Sequence, residues 1–223
     1  MIVAERKPFD EVYAMLEGSK RLLVLGCGSC VTVCMAGGEK EVALLAATLR
    51  LANKKRGVRM EIREATIERQ CDAEFFAAVA DDIEWADTVL SMACGVGVQF
   101  CAEQFPDKPL FPALNTKFYG ATERQGLWTT RCAGCGECVL DRFGGICPVA
   151  RCAKSLMNGP CGGSQNGKCE VDPENIDCAW QLIYDRLERL GQLHLLEENQ
   201  PLKDWSHGRD GGPGRIERED ATL

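Results

Sequence analysis

The chain has 223 residues, of which 45% are hydrophobic and 26% charged, and its formal net charge is −7. Such a chain can bury a core without disulfides, and its acidic balance excludes the basic surface of a nucleic-acid-binding protein. The densest basic cluster, residues 53–59, is expected to be the C-terminal end of a helix, where positive charge is favoured, rather than a phosphate-binding patch.

The N-terminal stretch "MIVAERKPFDEVYAML" lacks the apolar core of a signal peptide, and no apolar run approaches the roughly 20 residues of a membrane span. We therefore expect a cytoplasmic protein with no membrane span, in a compartment that keeps thiols reduced. Fourteen cysteines in such a compartment indicate metal or redox chemistry, and disulfides are the lesser alternative.

Residues 1–115 alternate strand-like and helix-like segments, which predicts an α/β fold: a small parallel sheet with helices on both faces, flavodoxin-like or Rossmann-like. Gly57 is expected to end the first long helix. The expected strands are 21–27, 58–64, 87–94 and 108–116, and the expected helices are 39–54, 72–87 and 95–105.

From residue 116 the periodicity is lost. Residues 116–172 are rich in glycine and cysteine, and so long an irregular segment makes sense if metal bonds replace a hydrophobic core. Residues 173–191 predict a C-terminal helix capped by Asn175, and residues 192–223 a polar tail or partner-binding arm. We treat 1–115, 116–172, 173–191 and 192–223 as the four parts of the chain.

The first cysteine set lies in "GCGSCVTVC", where Cys27, Cys30 and Cys34 have the spacing C-x2-C-x3-C. Cys94 ends the expected third strand, and the carboxyl ends of parallel strands meet at one edge of a sheet. We predict that these four thiols bind one metal centre, with Cys101 as the alternative fourth ligand.

The sequence of this loop leaves two other possibilities. The thiols could be small buried apolar residues. A dinucleotide-binding loop is disfavoured, because Val31 stands where the third glycine of G-x-G-x-x-G should be. Cys71 and Cys178 lie on expected helices and are predicted to be core residues.

The second set begins with Cys132, Cys135 and Cys138 in "CAGCGEC", whose spacing C-x2-C-x2-C starts a ferredoxin-type ligand run. Cys147 precedes a proline, as the last ligand of such a run often does. The candidates for the remaining places, or for a third centre, are Cys147, Cys152, Cys161 and Cys169.

Two [4Fe–4S] clusters would use eight thiolates, and we predict two such clusters. Zinc is the alternative, because four cysteines also form a structural zinc site. The turn "NGPCGG" around Cys161 fits a ligand loop or a surface turn equally well. The two histidines, His194 and His207, are expected at the surface, and no catalytic set is evident.

The run "CAGCGECVLDRFGGICPVARCAKSLMNGPCGG…GKCEV…CAWQLIYDRL", together with the loop "GCGSCVTVC…GG", resembles the methylenetetrahydrofolate reductase C-terminal-domain family. These are cysteine-rich accessory subunits of the flavin-bearing reductase of anaerobic bacteria. The similarity covers roughly residues 10–190, so the tail is expected to lie outside it.

The resemblance implies iron–sulfur clusters, or zinc, and a flavin-containing TIM-barrel partner that binds the folate. This chain would then relay electrons from a donor protein or subunit to the partner's flavin. The alternatives are a structural zinc-binding subunit that stabilises the reductase without carrying electrons, and a free-standing ferredoxin-like carrier. Candidate interface features are Trp128, Trp180, Trp205 and the C-terminal arm, although Trp180 is better placed for a core role.

Overall fold

The computed structural model describes residues 1–206, 208, 212–218 and 220. The chain forms two compact units, Met1–Trp128 and Thr129–Leu223, called unit 1 and unit 2 below. Among the described residues, no helix has both the length and the apolar character needed to cross a bilayer.

Unit 1 contains the predicted parallel sheet, whose strand order is β3-β2-β4-β5. Its strands are β2 (Arg21–Cys27), β3 (Glu61–Ile67), β4 (Thr88–Ser91) and β5 (Leu110–Pro112). Side chains alternate along β2: Leu22 and Val24 join one hydrophobic cluster, whereas Leu23 and Leu25 join another. The sheet is therefore covered by apolar packing on both faces, as in other parallel sheets.

Helices form the layers that cover the two faces of this sheet. Helix α3 packs with the first cluster and ends at Gly57, whose φ of 69° is left-handed, so the predicted stop and the basic last turn are confirmed. The segment expected to be one helix over 72–87 is divided into a 3₁₀ helix and a short α-helix. The helices are α1 (Phe9–Met15), α2 (Cys30–Val33), α3 (Glu39–Arg56), the 3₁₀ helix Ala73–Val79, α4 (Ala80–Trp85) and α5 (Gly95–Gln104).

A second sheet was not expected from the sequence. It has the order β1-β6-β7 and consists of β1 (Ile2–Arg6), β6 (Leu114–Arg124) and β7 (Leu127–Cys132). Because β6 pairs antiparallel with the N-terminal strand β1, residues 116–124 are regular structure of unit 1. The chain consequently divides within β7, later than the predicted boundary at 115/116.

Unit 2 has a small core in which Phe143 and Trp180 meet edge to face, with ring centroids 5.4 Å apart, beside Ile183 and Leu187. The capping role predicted for Asn175 is wrong: this residue lies in β9, and Cys178 occupies the N-cap of α7. The elements are the 3₁₀ helix Leu140–Phe143, α6 (Pro148–Arg151), β8 (Lys168–Cys169), β9 (Asp172–Asp177), α7 (Ala179–Leu190) and the 3₁₀ helix Leu193–Leu196.

Candidate metal centre

Three thiols lie where three neighbouring strands of the parallel sheet end. Cys27 is the last residue of β2, Cys94 follows β4 and is the N-cap of α5, and Cys71 lies in a turn after β3. Since β3, β2 and β4 are adjacent and parallel, these residues belong to the same sheet edge. The prediction of Cys71 as a helical core residue is wrong, because the residue is exposed and precedes the helix.

Cys27 is buried, and its backbone N–H donates to the carbonyl of Gly37 at 3.0 Å. Burial raises the pKa of its thiol, the backbone N–H groups of Ser29 and Gln70 lower it, and negative charge on Cys94 and Cys71 raises it again. Ionised thiols at this edge therefore repel one another. A bound cation would reverse that effect and favour the thiolates.

The loop that carries Cys30 is tied to the end of β3. The Ser29 hydroxyl donates to the Glu68 carbonyl at 2.8 Å, and the Thr32 hydroxyl donates to the Cys27 carbonyl at 2.7 Å. Cys30 begins α2 and is partly exposed. The position of Cys30 in the loop after β2 is thus set by hydrogen bonds from the residues on either side of it.

Cys34 has different surroundings. It is buried against β1, where its sulfur accepts from the N–H of Ala4 at 3.5 Å and lies 3.6 Å from the Ala4 and Val31 carbonyls. Burial raises the pKa of this thiol. Cys101, the alternative fourth ligand, is fully buried in the core, and burial raises its pKa to about 12.

Gln70, which the sequence reasoning missed, organises this edge. Its amide nitrogen donates to the carbonyls of Leu25 at 2.9 Å and Gly26 at 3.0 Å, and its oxygen accepts from the Ser91 hydroxyl at 2.7 Å. A Cβ on Gly97 would lie only 2.9 Å from the Gln70 Cβ, so α5 packs closely here. No sequence signal marked Gln70, because glutamine is ordinarily exposed and "ERQC" lies between a strand and a helix.

The second cysteine set lies in unit 2 on a glycine-rich loop. Gly134 and Gly136 adopt left-handed φ angles of 65° and 85°, which glycine tolerates best. The N–H of Gly134 donates to the sulfur of Cys132 at 3.3 Å. Similarly, Cys147 caps α6, and its sulfur accepts from the N–H of Ala150 at 3.4 Å. Such N–H donors stabilise anionic sulfur at metal sites.

The later cysteines of unit 2 have varied environments. Cys152 is partly buried against the core, whereas Cys161 is exposed and its thiol donates to a Glu170 oxygen at 3.5 Å. Lys154 also pairs with Glu170, and this hydrogen bond lowers the pKa of the carboxyl. Cys169 lies in β8. Cys178 is buried in the core, as predicted.

The described part of the predicted tail contacts the loop that carries the second set. Lys203 donates to the Glu137 carbonyl at 2.8 Å, and the Asp204 N–H donates to a Glu137 carboxylate oxygen at 3.2 Å. Lys203 and Asp204 are thus held against this loop, and the polar tail or partner-binding arm over 192–223 stays a prediction. His194 is exposed, as predicted, and His207 lies outside the described residues.

Among the described residues, no three His, Cys, Asp or Glu side chains are arranged so that they could hold a metal ion. The donor set nevertheless fits a soft metal, because it consists of thiols, some of which accept backbone N–H hydrogen bonds. The ligand roles of the ten cysteines therefore stay predictions. They are Cys27, Cys30, Cys34, Cys94, Cys132, Cys135, Cys138, Cys147, Cys152 and Cys161.

Comparison with known protein families gives a match. Residues 111–206 match the family model described as "Methylene-tetrahydrofolate reductase C terminal". No curated protein and no solved structure matches the chain. The matched segment contains the second cysteine set and α7, and it continues past Gly191, so the expectation that the tail lies outside the family similarity is wrong as far as residue 206. Residues 111–206, which are less than half of the chain, are therefore similar to the methylene-tetrahydrofolate reductase C-terminal family.

Proposed function

We propose that this protein is an iron–sulfur accessory subunit that relays electrons to a flavin-containing methylenetetrahydrofolate reductase. The family match supports an association with that enzyme. The partner would bind the folate, a separate protein or subunit would supply the electrons, and the cytoplasm would keep the thiols reduced.

One observation favours electron transfer over a purely structural metal. Unit 1 already packs both faces of its parallel sheet with apolar side chains, so it has a core that needs no metal to form. Cys27 and Cys94 nevertheless lie at the ends of its two central strands. Structural metal sites usually stabilise segments that lack a core, whereas thiols at a ligand-binding sheet edge fit a redox centre.

The residues of unit 1 would prepare this edge for an anionic sulfur centre. Burial raises the pKa of Cys27 and keeps water from its sulfur, and the N–H groups of Ser29 and Gln70 offset part of that rise. The hydrogen bonds of Ser29 and Gln70 hold the loop and the turn in place. A [4Fe–4S] cluster bound there would supply one-electron chemistry at a potential set by hydrogen bonding and solvent exposure.

The alternative is a structural zinc-binding subunit that stabilises the reductase without carrying electrons. A specific observation favours zinc in unit 2: Cys132 and Cys138 are exposed on a loop with little core around it, the setting in which a structural metal contributes most to folding. A structural zinc site explains the second cysteine set, but it does not explain the thiols at the sheet edge of unit 1.

The test is to purify the chain anaerobically with its reductase partner, and to measure iron, sulfide and zinc with EPR of the reduced complex. We expect about eight irons and eight sulfides per chain and a reducible signal. The double variant Cys27→Ser/Cys94→Ser should lose flavin reduction by the physiological donor, whereas the core variant Cys101→Ala should retain it. Zinc without iron, or full flavin reduction by the double variant, would overturn the relay and leave the structural role.

A further inference from the structure

We infer that Cys71, and not Cys34, completes the thiol set of unit 1 together with Cys27, Cys30 and Cys94. The inference rests on the proposed function in that unit 1 holds a metal centre. It goes further by changing the ligand set, because the spacing C-x2-C-x3-C nominates Cys34 and gives no reason to choose Cys71.

The sheet topology places Cys71 at the correct edge. β2 is the central strand between β3 and β4, and its last residue is Cys27. Cys71 follows β3 on one side of Cys27, and Cys94 follows β4 on the other side. The parallel register pairs Cys27 with Ile67, the last residue of β3. The segment from residue 68 to Cys71 therefore begins at the sheet edge where Cys27 lies.

A buried anchor holds the turn that carries Cys71. The side chain of the preceding residue, Gln70, is fully buried and bonded to the carbonyls of Leu25 and Gly26 and to the hydroxyl of Ser91. These bonds join the turn after β3 to the ends of β2 and β4. The backbone position of Cys71 is therefore determined by the same strands that carry the other two thiols.

Cys34 is held elsewhere. Its thiol lies against β1, within 3.6 Å of the Ala4 carbonyl and 3.5 Å of the Ala4 N–H, and it is buried in the cluster that packs β1 and α3 on the sheet. Turning it toward a centre at the sheet edge would break these contacts and open a void in the core. As it stands, Cys34 is a buried apolar residue with a satisfied thiol.

The first experiment uses the unmodified chain. Exposed Cys71 should react with iodoacetamide in metal-free protein and become at least tenfold slower to react after anaerobic loading with iron and sulfide, as read by peptide mass spectrometry. Cys34 should stay protected in both forms because it is buried. Equal reactivity of Cys71 in both forms would overturn the inference.

The second experiment compares Cys71→Ser with Cys34→Ser, and uses Cys101→Ala as the control for loss of a core thiol. We expect Cys71→Ser to lose about four of about eight irons while its circular dichroism is unchanged, and Cys34→Ser to keep them. Full iron in Cys71→Ser with loss in Cys34→Ser would restore the assignment drawn from spacing. If the wild-type chain binds zinc instead of iron, the electron-relay proposal is wrong. The zinc content of the same two variants then still decides between Cys71 and Cys34 as the ligand. A chain that binds neither metal overturns both proposals.

Discussion

The hydroxyl of Ser91 donates a hydrogen bond to the side-chain oxygen of Gln70 at 2.7 Å, and both residues are completely buried. Through this bond the end of β4 is joined to the turn after β3, and the amide nitrogen of Gln70 joins that turn to β2. A single uncharged side chain thus ties together the three strand ends at which Cys27, Cys71 and Cys94 lie.

Replacing this anchor should destabilise unit 1. Gln70→Ala removes the acceptor of the Ser91 O–H and one donor from each of the Leu25 and Gly26 carbonyls, and a buried group left unpaired costs about 1–3 kcal/mol. We expect a loss of about 3 kcal/mol in the free energy of opening, measured by hydrogen exchange of the β2 and β4 amides. The matched control is Gln99→Ala, an exposed glutamine bonded within α5, which should change this value by less than about 0.5 kcal/mol. Equal effects of the two variants would contradict an anchoring role.

A close backbone approach makes Gly37 irreplaceable. A Cβ at this position would lie 1.8 Å from the carbonyl oxygen of Met92, so Gly37→Ala must move the loop after α2 or the segment after β4. We expect hydrogen exchange of the β2 and β4 amides to show a loss of about 2–3 kcal/mol in the free energy of opening, which is typical of overpacking. At Gly95, the nearest atom to an added Cβ would be the Thr116 hydroxyl at 3.6 Å, so Gly95→Ala should be neutral or stabilising. If the β2 and β4 amides were protected from hydrogen exchange equally in Gly37→Ala and Gly95→Ala, this contact would not be what holds the loop.

Cys101 should make stability fall at high pH. Burial raises its pKa from 9.0 to about 12, so between these values the unfolded chain loses a proton that the folded chain keeps. The stabilisation is complete below pH 9 and falls by about 1.4 kcal/mol per pH unit as pH rises toward 12. Urea unfolding of metal-free, reduced protein from pH 8 to 11 should therefore show the wild-type advantage over Cys101→Ala shrinking as pH rises. Parallel curves for the two proteins would mean that Cys101 is not the buried neutral thiol described here.

Metal removal should act on the two units unequally. Unit 2 has a small core centred on Phe143 and Trp180, whereas unit 1 has two larger apolar clusters around its sheet. We expect chelator treatment to increase hydrogen exchange over residues 132–138 and 147–152 at least tenfold, with the β2 amides little changed. Phe143→Ala in the metal-loaded protein is the comparison, since it should loosen α7 without releasing metal. A uniform loss of protection in both units would show that unit 1 also depends on metal to fold.

The local features that could be predicted from sequence are those with a short-range cause. The apolar run ending at Cys27 is a buried strand, and the amphipathic segment stopped by Gly57 is a helix, because backbone propensity and apolar periodicity act over neighbouring residues. The cysteine–glycine spacing of residues 132–169 indicated the family on the same basis, and the match over 111–206 agrees with it.

What the sequence could not indicate depends on residues far apart in the chain. β1 was missed because its partner β6 lies more than a hundred residues later, and a five-residue strand has too little periodicity to be recognised alone. Cys71 was assigned to a helix because it borders the expected helix 72–87, whereas in the structure it lies in the turn between β3 and the 3₁₀ helix Ala73–Val79.

The amino-acid sequence alone determined the abundance of thiols in this protein, its parallel α/β half and the family similarity of residues 111–206, since composition, spacing and period are local properties. Only the tertiary structure decided which thiols share an edge. The order β3-β2-β4 brings Cys71 and Cys94 to either side of Cys27, while β1 pairing encloses Cys34 in the core. The physical reason is that strand order and burial arise from packing between distant segments, which no spacing within one motif encodes.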